Sequence, residues 1–94
     1  MEYNGLADNG KYVKIYNYIS KTPMDASNFE PFMLVEALEE LNDSLGIPSG
    51  LAEVGVTEDK FDAMADDAMK SGNIAVNPRS TTKKDILMLY KKAL

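Results

Sequence analysis

The side chains able to do chemistry in this chain are carboxylates, lysines and tyrosines, because it contains neither histidine nor cysteine. That excludes imidazole acid–base catalysis, Ser-His-Asp triads, thiolate nucleophiles and any metal site built on imidazole or thiolate. The most suggestive cluster is acidic: Asp59, Asp62, Asp66 and Asp67, oxygen donors of the kind a hard cation takes. Adjacent helical residues point about 100° apart, so Asp66 and Asp67 do not converge on a single ion. A solvated helix face is the reading that fits this geometry. Asp8-Asn9-Gly10 is a turn or helix-start signal, lacking the spaced oxygen ligands and closing Glu of a calcium loop.

These residues are carried by elements with a single periodicity. From Lys11, Tyr12, Ile15, Tyr16 and Ile19 fall at i, i+3, i+4 and i+7, which predicts a helix over 11–21. Thr22-Pro23 ends it, since proline disfavours a helical predecessor. Pro31 suits a helix's first turn. Phe32, Leu34, Val35, Leu38, Leu41 and Leu45 then mark an amphipathic helix over 31–45, with Leu38 and Leu41 expected among its most buried positions. Gly46 supplies a left-handed stop and Pro48 prevents continuation. A short turn over 49–54 is expected before Gly55. Thr57 is a candidate N-cap, followed by Glu58 and Asp59 at the positive end of a helix dipole. Phe61, Met64, Ala65, Ala68 and Met69 continue that helix over 58–70, and Gly72 is read as its end. Residues 73–80 read as a loop. Thr82 and Asp85 approximate a capping box for a last helix over 83–93. No segment alternates as a strand does, and Ile74-Ala75-Val76 is too short to count. The expected fold is all-α, a small bundle of about four main helices in one domain or domain fragment over 1–94.

Composition narrows the function classes. The 94 residues carry a net charge of −5 and 45% hydrophobic residues, a balance that argues for a modest core and against disorder. The acidic balance argues against a nucleic-acid partner or an anionic membrane, both of which need a basic face. Lys83, Lys84, Lys91 and Lys92 read as solvated decoration of the last helix. No apolar run approaches a membrane span, and the absence of cysteine is compatible with the cytoplasm. Tyr12 and Tyr16 are expected to pack with their hydroxyls at the rim. The six methionines read as adaptable core filler.

Asn77-Pro78-Arg79 is by itself a rigid turn, with Asn77 held extended and Arg79 able to pair with a carboxylate or carbonyl. Taken with Leu45-Gly46-Ile47-Pro48-Ser49-Gly50-Leu51, Gly55-Val56 and a final helix ending in Ala93-Leu94, it acquires a second meaning. The ordered set resembles the C-terminal portion of the iron-dependent alcohol dehydrogenase family, of dehydroquinate synthase-like fold. The resemblance runs from Met1 to Leu94. It implies a parent oxidoreductase with an α/β dinucleotide-binding domain and an all-α C-terminal domain, moving a hydride between NAD(P) and a primary alcohol or aldehyde. It further implies Fe²⁺ or another divalent metal held by one Asp and three His that precede Met1-Glu2-Tyr3-Asn4. On that reading this chain holds no catalytic residue, metal ligand or nucleotide site and is inactive alone. The family's usual Cys-Thr before Asn-Pro-Arg is replaced by Asn73 and Ile74, and Asn73 becomes the residue expected beside the substrate cavity.

The expected partners are the upstream domains of the parent enzyme or a second copy of the fragment. Two other readings compete. One is a stand-alone acidic helical protein-interaction module. The other rests on Asp43-Ser44-Leu45, which resembles the phosphopantetheine-bearing triplet of acyl carrier proteins. There the triplet opens a helix, whereas here it closes one.

Overall fold

The computed structural model describes residues 1–94, and every regular element in it is helical. Five α-helices follow in order: α1 Lys11–Ile19, α2 Pro31–Ser44, α3 Phe61–Met69, α4 Gly72–Val76 and α5 Lys83–Ala93. Three 3₁₀ turns accompany them, at Tyr3–Ala7, Leu51–Val54 and Glu58–Lys60. The chain forms two compact units, Met1–Leu45 and Gly46–Leu94.

In the first unit α1 packs on α2. The Asp8 carboxylate opens α1, accepting from the N–H groups of Lys11 at 3.0 Å and Tyr12 at 3.1 Å. It thereby satisfies two of the donors that every helix start leaves unpaired. The Tyr12 hydroxyl donates to the Met1 carbonyl at 2.7 Å. Burial, then the nearby Asp8 charge, raises its pKa above the usual tyrosine value, which keeps that donor protonated. In the last turn of α1, Asn17 mimics a strand partner for Met24: its Nδ2 donates to the Met24 carbonyl at 2.9 Å and its Oδ1 accepts from the Met24 N–H at 2.7 Å. The loop that follows returns Phe29 against Tyr16, ring centroids 5.4 Å apart. Glu30 is extended, as the residue before Pro31 must be, and Pro31 is the first residue of α2.

Leu34 is the fully buried side chain of this unit, at 0% exposure, whereas Leu41 is 50% exposed and Leu38 intermediate. The expectation that Leu38 and Leu41 mark the core is therefore displaced by a turn or more along the same helix. At 1.5 Å per residue, α1 is about 13 Å long and α2 about 21 Å. The shorter helix leaves the last turns of α2 without cover in its own unit.

The second unit begins at Gly46, whose φ of +71° gives the left-handed reversal after α2 that a side chain would resist. Gly50 has an extended φ of −151° and is required for a different reason. A Cβ there would lie 2.7 Å from the Leu94 carbonyl oxygen. The Ala52 N–H donates to that same oxygen at 3.1 Å, which ties the end of α5 to the Leu51–Val54 turn.

The helix expected over 58–70 is divided. Glu58–Lys60 is a 3₁₀ turn, and the α-helical pattern starts at Phe61. Thr57 stands before that turn but makes no side-chain cap; its hydroxyl donates to the Asp59 carboxylate instead. Phe61, 2% exposed, and Ala65 form the buried face of α3, which packs on α5. There the Phe61 and Tyr90 rings lie 5.5 Å apart at an interplanar angle of 33°, a tilted contact that adds to plain area burial. The capping box of Thr82 and Asp85 is fully formed at the start of α5.

Candidate functional site

Chemically distinctive geometry gathers between α3 and α5, in residues 71–85. Gly72 does not end α3. That helix closes at Met69, with Lys70 as a right-handed cap, and Ser71 turns the backbone extended. The Ser71 hydroxyl accepts from the Asn73 N–H at 3.3 Å and so starts the short helix α4. The stretch expected to be a loop over 73–80 is thus helical at its beginning. Ser71 is the signal that reveals it, an N-cap residue masked in the sequence by the glycine that follows.

After α4 the chain turns at Asn77-Pro78-Arg79. Asn77 is extended, with φ −65° and ψ 137°, as its position before proline requires. Its carboxamide closes the turn, Nδ2 donating to the Arg79 carbonyl at 2.8 Å and to the Thr81 hydroxyl at 3.3 Å. The Thr81 hydroxyl donates to the same carbonyl at 2.9 Å. Thr82 follows at once as the α5 cap, donating its N–H and hydroxyl to Asp85, each at 2.9 Å. Side-chain bonds therefore recur from Ser71 to Asp85, and they fix where Asn73 and Ile74 stand. Asn73 is exposed, Ile74 half-buried and Val76 exposed. The Asn73 side-chain amide has no protein partner, leaving two N–H donors and a carbonyl acceptor available. Such a group can orient a hydroxyl or carbonyl; it cannot move a proton at neutral pH.

The acidic cluster is a solvated face, as expected, and two of its members also pair across to α5. Asp62 and Asp66 lie one helical turn apart and both reach the Lys83 ammonium of α5, each at 2.8 Å. Asp67 points elsewhere and pairs with Lys70 at 3.5 Å. Lys91 lies 3.7 Å from Glu58. Lys83 therefore clamps two helices at a solvent-exposed edge, a pairing between positions far apart in the chain that no local pattern signals. The hydrogen bonds from Asp62, then Asp66, raise its pKa above the usual lysine value. A cation whose folded-state pKa is raised stabilises fully below its unfolded pKa and loses that contribution as pH rises through the folded one. The clamp is accordingly intact throughout the neutral range.

These carboxylates do not form a metal site. No group of three or more His, Cys, Asp or Glu side chains converges anywhere in the chain, and the two that do converge already share an ammonium. Ser44 closes α2, its hydroxyl donating to the Leu41 carbonyl at 2.7 Å. It thus sits at a helix end, where a carrier-type serine would stand at a helix start.

Comparison with known proteins decides the kinship. Residues 1–94, the full chain, match the family described as "Fe-containing alcohol dehydrogenase family, C-terminal". The chain belongs to this family. Among Fe-containing alcohol dehydrogenases it is 32% identical to the 1,3-propanediol dehydrogenase of Citrobacter freundii, over 97% of the chain and 24% of that protein. It is 42% identical over 60 residues to the NAD-dependent methanol dehydrogenase of Bacillus methanolicus, covering 64% of the chain and 16% of that protein. Its fold superposes on a crystal structure of a 1,3-propanediol oxidoreductase with a TM-score of 0.82 at 28% identity, over 99% of the chain and 25% of that structure. The chain thus spans about a quarter of the length of the relatives it matches. The all-α architecture is that of the family's C-terminal part. Family membership implies iron, yet the carboxylates gathered here do not fit it, because the two that converge already share the Lys83 ammonium.

Proposed function

We propose that this chain supplies the C-terminal helical part of an NAD(P)-dependent, metal-dependent dehydrogenase for primary alcohols or aldehydes, and that it is inactive on its own. The observation that carries this reading is the full-length family match together with the superposition on a 1,3-propanediol oxidoreductase. The names of two relatives, an NAD-dependent methanol dehydrogenase and an NADH-dependent butanol dehydrogenase from Clostridium acetobutylicum, support the cofactor and the substrate class. In this reading the metal ligands and the nucleotide site belong to a preceding part of the enzyme, and its upstream domains are the partners of this chain. The cofactor brings the hydride chemistry and the protein brings orientation. Asn73 stands at the edge of the substrate cavity, where its carbonyl oxygen accepts from an alcohol hydroxyl. The bonds from Ser71 and Asn77 to Thr81 hold that stretch of backbone still. No helix is long and apolar enough to cross a membrane, and we place the enzyme in the cytoplasm.

Titration calorimetry of the isolated chain tests the division of labour. NAD⁺, NADP⁺, Fe²⁺ and Zn²⁺ should each show no binding tighter than about millimolar, or roughly 4 kcal/mol. Stoichiometric micromolar binding of any of them would place part of the machinery here and contradict the proposal.

A further inference from the structure

The sequence contains two Asn-Gly pairs, Asn4-Gly5 and Asn9-Gly10, and the fold treats them in opposite ways. Asn-Gly is the dipeptide in which the following backbone nitrogen most easily reaches the asparagine side chain, because glycine places no Cβ in the way. Asn4 and Gly5 lie inside the Tyr3–Ala7 3₁₀ turn. The Asn4 N–H donates to the Met1 carbonyl and the Gly5 N–H to the Glu2 carbonyl, each at 3.1 Å. Gly5 is also crowded: a Cβ there would sit 3.1 Å from that of Pro31. The nitrogen that would have to attack is engaged in a hydrogen bond, in a half-buried turn.

Asn9-Gly10 is the reverse case. Asn9 is exposed and lies between the 3₁₀ turn and α1, outside both. Neither its carboxamide nor the Gly10 N–H has a hydrogen-bond partner, since the bonds at this corner run from Lys11 and Tyr12 to Asp8. Gly10 adopts φ +98°, and nothing lies within 4 Å of where a Cβ would be, so the backbone has room to move.

We infer that Asn9 is a site of spontaneous, fold-selected deamidation, and that Asn4 in the same chain is protected from it. The Gly10 backbone nitrogen attacks the Asn9 side-chain carbonyl carbon and a new C–N bond closes a five-membered succinimide. The bond from that carbon to Nδ2 breaks, and ammonia leaves carrying the proton lost from the Gly10 nitrogen. A solvent water then opens the ring at either carbonyl, leaving aspartate or isoaspartate at position 9. No oxidant, reductant or enzyme is required. Either product adds a negative charge just before α1. Isoaspartate also lengthens the backbone by one methylene next to Asp8, the residue that caps α1, so the product loosens the start of that helix.

The test is incubation of the folded chain in mildly alkaline buffer, followed by peptide mapping that reads both sites in the same sample. A synthetic peptide of residues 1–14 serves as the unfolded reference. In the peptide the two pairs should react at comparable rates. In the folded chain position 9 should gain about 1 Da and form isoaspartate at least about tenfold faster than position 4. Asn9→Gln, which cannot form the five-membered ring readily, should abolish the gain at position 9 and leave position 4 unchanged. Equal rates at the two sites in the folded chain, faster reaction at Asn4, or an Asn9 that stays intact while the peptide reacts would each overturn the inference.

Discussion

Replacing Phe61 with alanine should destabilise the Gly46–Leu94 unit by about 3–5 kcal/mol, the range for removing a buried aromatic ring from a core. Phe61 is 2% exposed and faces Tyr90 at 5.5 Å, so the substitution empties the seam that joins α3 to α5. The other fully buried side chain there is only Ala65, which contributes little area. Small domains stand near the lower end of folding stability, so a loss of this size removes most of what holds the unit together. Urea unfolding followed by circular dichroism should show the midpoint collapse. The Lys83 clamp to Asp62 and Asp66 is solvent-accessible and cannot compensate, since exposed ion pairs contribute little. A change below about 1 kcal/mol would mean that the ring is not the core of the α3–α5 seam.

Self-association of the isolated chain should be the second large effect. Ile15 and Ile19 of α1 are exposed one turn apart, as are Leu41 and Leu45 at the end of α2, and Tyr18 is 91% exposed. Residues four apart lie on one helix face, so each pair forms an apolar strip. Such surface is unusual on a stand-alone monomer and common on a face meant to be covered. In the proposed enzyme the preceding domains cover these strips; in the isolated chain a second copy does. Sedimentation velocity at micromolar concentration should show a dimer or larger species, and a hydrophobic dye should fluoresce with whatever monomer remains. Ile15→Gln combined with Ile19→Gln should shift the population toward monomer. A dye-negative monomer with a sharp, cooperative melt would instead favour a self-sufficient interaction module.

How far the sequence revealed this structure follows from what each signal encodes. The helix faces, the left-handed Gly46, the Thr82–Asp85 capping box and the extended Asn77 before Pro78 were legible because each depends on residues within a few positions of one another. Leu34 replaced Leu41 as the buried leucine because periodicity identifies the face of a helix, while burial depends on how far the neighbouring helix extends. Lys83 was unreadable as a clamp for the same reason, its partners lying about twenty positions upstream on α3. The helix α4 was hidden by Gly72, a residue that signals an ending but here occupies the first position of the next helix. The candidate site was legible only through the family resemblance: Asn73 has no sequence pattern of its own, and the Asn77 carboxamide locks the turn beside it through bonds that form only in the fold.

In the proposed enzyme this chain has the form of an alcohol dehydrogenase's C-terminal part and the chemistry belongs to the preceding domains. The most direct measurement is a graft, with this chain replacing the matched C-terminal residues of the Citrobacter freundii 1,3-propanediol dehydrogenase. Oxidation of 1,3-propanediol is followed through the reduced nicotinamide, beside the chain alone and the truncated enzyme alone. The grafted protein should turn over within about a hundredfold of the unmodified enzyme, or ~2.7 kcal/mol in barrier, with no turnover by either piece. A graft that folds and retains its metal yet shows no activity, or turnover by the isolated chain, would contradict the claim.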